Sequence, residues 1–154
     1  MNWYLQSSKD SDVAKSTRIR FARNIAGFPF KLKNKEMKEA LENKIKDNLY
    51  GIGYGLKFFK LKDMDDITKM SLVEKNIISP EFVSNKDVSI LINDEENICI
   101  MIGEEDHLRI QVFNYGLDLE NTLNLAIELD EKINETLGYA ISKKYGYLTA
   151  CPTN

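Results

Sequence analysis

Three short stretches of this 154-residue chain carry side chains that could do chemistry. Glu104-Glu105-Asp106-His107-Leu108-Arg109 sets three carboxylates, the only histidine and an arginine in six consecutive positions. Its flanks, Ile98 to Ile102 and Ile110 to Phe113, are rich in β-branched and aromatic residues and read as strands. Charge concentrated between two sheet strands costs free energy unless it is paired or binds something, so the cluster is a candidate site. A carboxylate there could orient a cationic substrate while Arg109 holds an anionic one, and His107 could bind a ligand or titrate near neutral pH. The plainer alternative is an acidic turn with a satisfied histidine. The second stretch, Ser16 to Asn24, alternates arginines with apolar residues. Arg18 and Arg20, with Arg23 as a third candidate, have the planar, permanently charged forks that suit phosphate oxygens. A solvated strand face with local ion pairs would have the same spacing. The third is Cys151, followed by Pro152 and flanked by Thr149 and Thr153. Its thiolate could act as a nucleophile or an electrostatic partner, although a lone cysteine is more often structural.

These groups need a frame. Alternation predicts a strand over 16–24, with Arg18 and Arg20 on one face and Ile19 and Phe21 on the other. Asn34 caps a helix over 35–49 whose stripe is Met37, Leu41, Ile45 and Leu49, and Gly51, Gly53 and Gly55 end it. A strand follows over 56–61. Asp65 or Asp66 opens a short helix carrying Ile67, Met70, Leu72 and Val73, and Ser79-Pro80 signals a loop. Residues 88–93 and 98–102 form a hairpin across the acidic turn 94–97, and a third strand starts near Arg109 and ends at Tyr115-Gly116. Asp118 caps a long helix to Leu137, with Leu119, Leu123, Ala126, Ile127, Asp130, Ile133 and Leu137 on its apolar face and Gly138 as its stop. Residues 1–11 are expected to be a loose lead-in. Strands and helices intermixed, with a hairpin, predict an α+β fold with a largely antiparallel sheet flanked by helices.

Composition sets outer bounds. Length suits one domain with a real core, and 43% apolar with 29% charged residues is ordinary for a soluble globular chain. A net charge of -3 argues against nucleic acid as the main partner. No apolar run approaches a membrane span, the N-terminus lacks a signal-peptide pattern, and the cytoplasm is the expected location. Cys99 and Cys151 make no disulfide framework, and Cys99 reads as an inert core thiol. One histidine and two distant cysteines are too few for a zinc site, and no residue is assigned to a metal. Gly51-Ile52-Gly53-Tyr54-Gly55 does not lead into a helix as a phosphate loop would, and no Ser-His-Asp arrangement can be assigned.

Taken together, the stretches resemble the ATP:guanido phosphotransferases. Ser16 to Asn24 is similar to that family's Ser-Ser-Arg-Ile-Arg-Leu-Ala-Arg-Asn, Glu104 to Arg109 to its Glu-Glu-Asp-His-Ile/Leu-Arg, and Gly146 to Asn154 to its Gly-Tyr-Leu-Thr-Ser/Ala-Cys-Pro-Thr-Asn. Leu72 to Pro80 resembles the Leu-Val-Glu-Lys-His-Leu-Ile-Ser-Pro of the bacterial protein-arginine kinases, and only 15 residues precede Ser16, as in that subfamily. The resemblance covers the chain from about residue 12 onward. It implies a phosphagen-kinase catalytic-domain-like fold over 1–154 and phosphoryl transfer from ATP, with Mg2+, to arginine side chains of proteins. By the same resemblance Ser16, Thr17, Arg18, Arg20, His107 and Arg109 would contact ATP, Glu105 would bind and deprotonate the guanidinium, and Cys151 would lie near it. A protein substrate with an exposed arginine is the expected partner, and an activator protein or a second copy in a homodimer are further ones. The chain departs from the pattern at Asn76, where a histidine is usual, and at Gly103, where an asparagine is usual; either change is expected to weaken nucleotide binding. The family pattern continues past Asn154 with a Gly-Thr-Gly-like loop and more arginines, so the fold and nucleotide site are expected to be incomplete here and activity to be weak or absent. Two alternatives stand beside this reading: a non-catalytic interaction or dimerisation module, and a kinase for a free guanidino metabolite.

Overall fold

The computed structural model describes residues 2–152 and 154. Five antiparallel strands form one sheet: β1 (Ser16–Arg23), β2 (Lys57–Lys60), β3 (Ser89–Ile92), β4 (Ile98–Ile102) and β5 (Leu108–Tyr115), in the spatial order β1-β5-β4-β3-β2. Four helices join them: α1 (Lys35–Leu49), α2 (Asp66–Glu74), α3 (Pro80–Ser84) and α4 (Leu119–Leu137). A two-stranded ribbon of β6 (Ile141–Ser142) and β7 (Gly146–Tyr147) follows α4. The expected α+β architecture is the observed one.

Local chemistry starts each helix. Asn34, Asp65, Ser79 and Asp118 sit at the four N-caps, and each side-chain oxygen accepts a backbone N–H three residues on, from Met37, Thr68, Phe82 and Asn121. Ser79-Pro80 therefore opens a helix instead of marking only a loop: Pro80 occupies the first turn, where its missing N–H costs nothing. Gly138, at φ +72°, stops α4.

The sheet is buried on both faces. On one, Ile19, Phe21, Leu108, Ile110, Val112, Ile98, Ile100 and Leu91 pack with Leu41, Ile45 and Leu49 of α1 and Ala126, Leu129 and Ile133 of α4. On the other, Ile90, Ile92, Cys99, Met101 and Phe113 pack with Leu61, Leu72, Ile77, Phe82 and Trp3. Burial pushes the Cys99 thiol up to about 12, so it stays protonated, as an inert core residue should.

Three elements depart from the sequence expectation. The expected apolar face of α4 is partly right: Ala126, Asp130, Ile133 and Leu137 are buried, but Leu119, Leu123 and Ile127 are exposed, and Thr122 and Leu129 complete the buried stripe. Ile67 and Met70 of α2 likewise face outward. The expected lead-in is docked. Trp3 stacks on Phe113 with ring centroids 5.2 Å apart and donates its indole N–H to the Glu96 carbonyl at 2.8 Å. Ser8 then passes so close to Gly116 that a Cβ there would meet the Ser8 Oγ at 2.1 Å.

Asp130, already on the expected face of α4, is the one charged residue that face buries, and it is buried with a partner. It meets Arg23, the last residue of β1, at 2.8 Å, with both side chains at most 10% exposed. Tyr139 donates its hydroxyl to the same carboxylate at 2.8 Å, and Tyr147 lies under the Arg23 guanidinium at 3.7 Å. Breaking such a buried pair from one side leaves an uncompensated charge. Asp130→Ala is therefore expected to cost about 3–5 kcal/mol in urea unfolding, and Arg23→Met with Asp130→Leu to recover a good part of that loss.

Candidate active site

Strand alternation builds the site at the β1 end of the sheet. Arg18 pairs with Phe113, Arg20 with Gln111 and Ala22 with Arg109 across the β1–β5 ladder. Partners directly opposite share a face, so Arg18, Arg20, Arg109 and Gln111 point the same way. That face carries the second core cluster toward β2, but here it opens into a pocket of about 260 Å³. The three arginines and Gln111 line one side, and Val73 to Pro80 the other. Gln111 anchors that far wall by donating to the Ile77 carbonyl at 2.8 Å. Sequence reading treated Gln111 as part of a strand; its parity with Arg20 across the ladder becomes visible only once the register is known.

The cations are crowded. Arg20 is pushed below the ordinary arginine range by partial burial and by the guanidinium groups of Arg109 and Arg18, with Glu104 opposing. Arg109 is in turn held by Glu104, whose Oε1 accepts from Nη1 at 3.0 Å. The other Glu104 oxygen is buried and 2.8 Å from the same nitrogen, without the alignment of a hydrogen bond. Glu105 is half exposed and 3.7 Å from Nη2 of Arg109, so its carboxylate remains open to a second cation. The arrangement is a cationic pocket bordered by an accessible carboxylate. It can hold a polyphosphate against a guanidinium.

The rest of the cluster turns inward. Asp106 is 4% exposed and accepts from Asn24 at 2.6 Å, from the Ala150 backbone N–H at 2.6 Å and from Asn154 at 3.1 Å. Asn24 also accepts the His107 N–H at 2.9 Å and donates to the Leu148 carbonyl at 3.0 Å. This network ties the 104–109 turn to the segment holding Cys151. Glu105 and Cys151 are each one residue removed from the Asp106–Ala150 bond. Thr153, the other neighbour named with Cys151, lies outside the described residues.

Not every expected nucleotide contact reaches the pocket. Thr17 faces away: its hydroxyl donates to the Gly116 carbonyl at 2.8 Å and accepts from the Asp118 N–H at 2.9 Å. His107 is 1% exposed, its Nδ1 accepts the Ile25 N–H at 3.0 Å, and Nε2 lies 3.0 Å from the Pro29 carbonyl. With Nδ1 an acceptor, the proton sits on Nε2 and donates to Pro29. Arg23 belongs to the Asp130 pair on the opposite face. Ser16 is exposed on the Arg18 side of β1, at its far end from Arg109. Among the described residues no group of three His, Cys, Asp or Glu side chains could hold a metal ion. Among the described residues no helix is long and apolar enough to cross a membrane.

Both departures from the family pattern sit at positive φ. Asn76, at φ +58°, follows α2 and lines the pocket, with its carbonyl 3.5 Å from Arg18. Gly103, at φ +81°, starts the turn, which its N–H closes on the His107 carbonyl at 3.2 Å. Asparagine, and to a lesser degree histidine, tolerate this backbone region better than most residues, and glycine adopts it freely.

Comparison with known proteins names the family to which this fold belongs. Residues 34–154 match the family model described as ATP:guanido phosphotransferase, C-terminal catalytic domain. The chain is 42% identical over 159 residues to the protein-arginine kinase of Clostridium acetobutylicum, covering 99% of this chain and 46% of that protein. The protein-arginine kinase of Halothermothrix orenii is 40% identical over 156 residues, with 99% and 45% covered. Among solved structures, the duplicated taurocyamine kinase of Schistosoma mansoni with bound transition-state-analogue components superposes with a TM-score of 0.83 at 28% identity, over 92% of this chain and 22% of that one. A lombricine kinase shares the fold with a TM-score of 0.82 over 96% of this chain and 46% of that one. The chain belongs to the ATP:guanido phosphotransferase family. It spans about half the length of the protein-arginine kinases it matches.

His107 gives the site a pH signature. Burial, the largest influence, lowers its pKa below the ordinary 6.5 despite the Pro29 and Asp106 contacts. The unfolded chain then binds a proton first as pH falls, so stability drops from about pH 6.5 downward until the lowered folded value is passed. Unfolding free energies of the wild type and His107→Gln, compared between about pH 7.5 and 5, should differ by that slope, the variant being the flatter.

Proposed function

We propose that these residues form the guanidinium-facing half of a protein-arginine kinase site. The observation that carries the reading is the position of Arg109, between the Arg18–Arg20 pair on one side and Glu104 and Glu105 on the other. Arg18, Arg20 and Arg109 bind the phosphates of ATP. Their mutual repulsion, felt at Arg20, is relieved by an anion. Ser16, on the same strand face, can add a hydroxyl at the pocket's edge. Thr17 and His107 are assigned a supporting role, fixing the start of α4 and the Phe28–Phe30 loop. Mg2+ would arrive bound to the nucleotide, since a polyphosphate supplies the oxygen ligands this ion prefers, and would neutralise phosphate charge alongside Arg18, Arg20 and Arg109.

Transfer breaks the bond between the γ-phosphorus and its bridging oxygen, forms a P–N bond and releases one proton. A guanidinium has a pKa above about 12 and is a poor nucleophile until a base takes that proton. On this reading Glu105, half exposed beside Arg109, orients the guanidinium and accepts that proton. Asp106, beside Glu105, bonds Asn24 and the backbone N–H of Ala150, the residue before Cys151, which supports a place for Cys151 near the guanidinium. A protein arginine fits better than a free metabolite because the similarity to protein-arginine kinases covers nearly the whole chain.

Several outcomes are expected of the 154-residue chain. Arg20→Ala weakens MgATP binding about tenfold or more in calorimetry, and Arg20→Lys restores only part. Glu105→Gln leaves that binding within about twofold but lowers phosphoarginine formation about a hundredfold. The parent chain assayed alone transfers slowly, in line with the half-length match. Fast transfer by Glu105→Gln, or faster phosphorylation of free arginine than of an arginine-rich protein, would sink the assignment.

One observation favours a second reading, a non-catalytic interaction or dimerisation module: Leu119, Leu123 and Ile127 form an exposed stripe on α4. On that reading sedimentation shows a concentration-dependent dimer that Leu123→Glu dissolves, and phosphoarginine never forms.

A further inference from the structure

A second cavity lies at the other end of the sheet. It is a groove of about 580 Å³ between the edge strand β2 and the residues leading into α2. Strand order puts β2 four strands from β1, about 19 Å at about 4.8 Å per strand, while Leu72 of the groove and Val73 of the arginine pocket are neighbours on α2. Phe59, Met64, Leu72 and Ile92 form its apolar lining, and Phe59 is 38% exposed. Among the described residues β2 pairs only with β3, so its outer edge offers unpaired backbone N–H and C=O groups.

Charge selects the occupant. Around the groove Lys57 closes on Asp94 at 2.6 Å, Lys60 on Glu42 at 2.8 Å, and Glu96 on Lys75 at 2.7 Å. Among the described residues no basic side chain pairs with Asp63 or Asp65. The Thr68 hydroxyl and N–H hold the Asp65 carboxyl below its usual range, so it stays charged. A second copy is disfavoured, because antiparallel self-pairing of β2 would set Lys57 opposite Lys60 of the other chain, whereas a segment whose basic side chain lies opposite Phe59 meets neither lysine directly.

We propose that the β2 edge docks an extended polypeptide segment bearing arginine or lysine, which adds to the sheet as a sixth strand. Backbone pairing along Lys57–Lys60 holds the segment. A groove-facing basic side chain lays its apolar stem on Phe59 and reaches Asp63 and Asp65 with its charge. The docking surface is separate from the arginine pocket and does not depend on the phosphoryl-transfer reading.

The test is titration of the 154-residue chain, without nucleotide, with an acetylated seven-residue peptide alternating arginine with valine, followed by amide NMR shifts. Binding with a dissociation constant on the order of 1 mM or tighter is expected, with shifts at Lys57–Lys60, Asp63 and Asp65. Replacing the peptide's arginines by citrulline, or Asp63→Lys in the protein, should each weaken binding about three- to tenfold. Methylating alternate peptide nitrogens on the pairing edge should weaken it about tenfold. Phe59→Ser should weaken it as well, and the shift map of Asp63→Lys guards against a folding defect. Shifts confined to the Glu104–Arg109 turn, equal binding of the citrulline peptide, indifference to N-methylation, or a dimer formed through β2 would each overturn the proposal.

Discussion

Eight consecutive residue pairs join β1 to β5, from Ser16 opposite Tyr115 to Arg23 opposite Leu108. The site depends on that register. Side chains alternate across a strand, so a slip of one residue would turn Arg18 and Arg20 into the core under α1 and α4 and bring Ile19 and Phe21 to the surface. Polar contacts pin the ladder at both ends. Thr17 bonds Gly116 and Asp118 at one, and Arg23 pairs with Asp130 of α4 at the other. Neither contact touches the pocket, yet together they fix which face the arginines occupy.

The six residues from Glu104 to Arg109 are divided by the same geometry. A turn closed from Gly103 to His107 cannot send all its side chains one way. Glu104, Glu105 and Arg109 stay on the pocket side, while Asp106 and His107 go inward and find partners on Asn24, Ile25, Pro29 and Ala150. Burying a carboxylate and an imidazole is tolerable because both are hydrogen-bonded, the carboxylate to several donors and the imidazole in its neutral form. The inward pair sets the backbone of the turn, and that backbone aims Glu105.

Periodicity made much of this legible. Helix caps, the hairpin and the parity of Arg18 with Arg20 are local signals, and they appear where residue types place them. What the chain hid is long-range. The expected face of α4 is too wide: Ala126, Asp130, Ile133 and Leu137 are buried as expected, while Leu119, Leu123 and Ile127 lie at its exposed margin and Thr122 and Leu129 take their place inside. Trp3 sits in a polar-looking segment, and only the position of Phe113 on the second face shows where it docks. Thr17 and His107 stand inside recognised motifs next to residues that do reach the pocket, yet adjacency in sequence is not adjacency on a strand face. Strands β6 and β7 are two residues each, too short to show an alternating pattern.

The two departures from the family pattern follow from the backbone. Asn76 and Gly103 both occupy positive φ, one closing α2 beside Arg18 and the other opening the turn that ends in Arg109. At such a position the first requirement is a residue that accepts the conformation, and Asn, His and Gly all meet it at modest cost. An exchange among them leaves the pocket's shape intact and changes only what side chain reaches into it. The arginine spacing is set by the β1–β5 ladder, which neither residue belongs to. The cationic field that recommends this pocket for a polyphosphate is therefore independent of both substitutions, and their influence on an anion is limited to contacts their own side chains make.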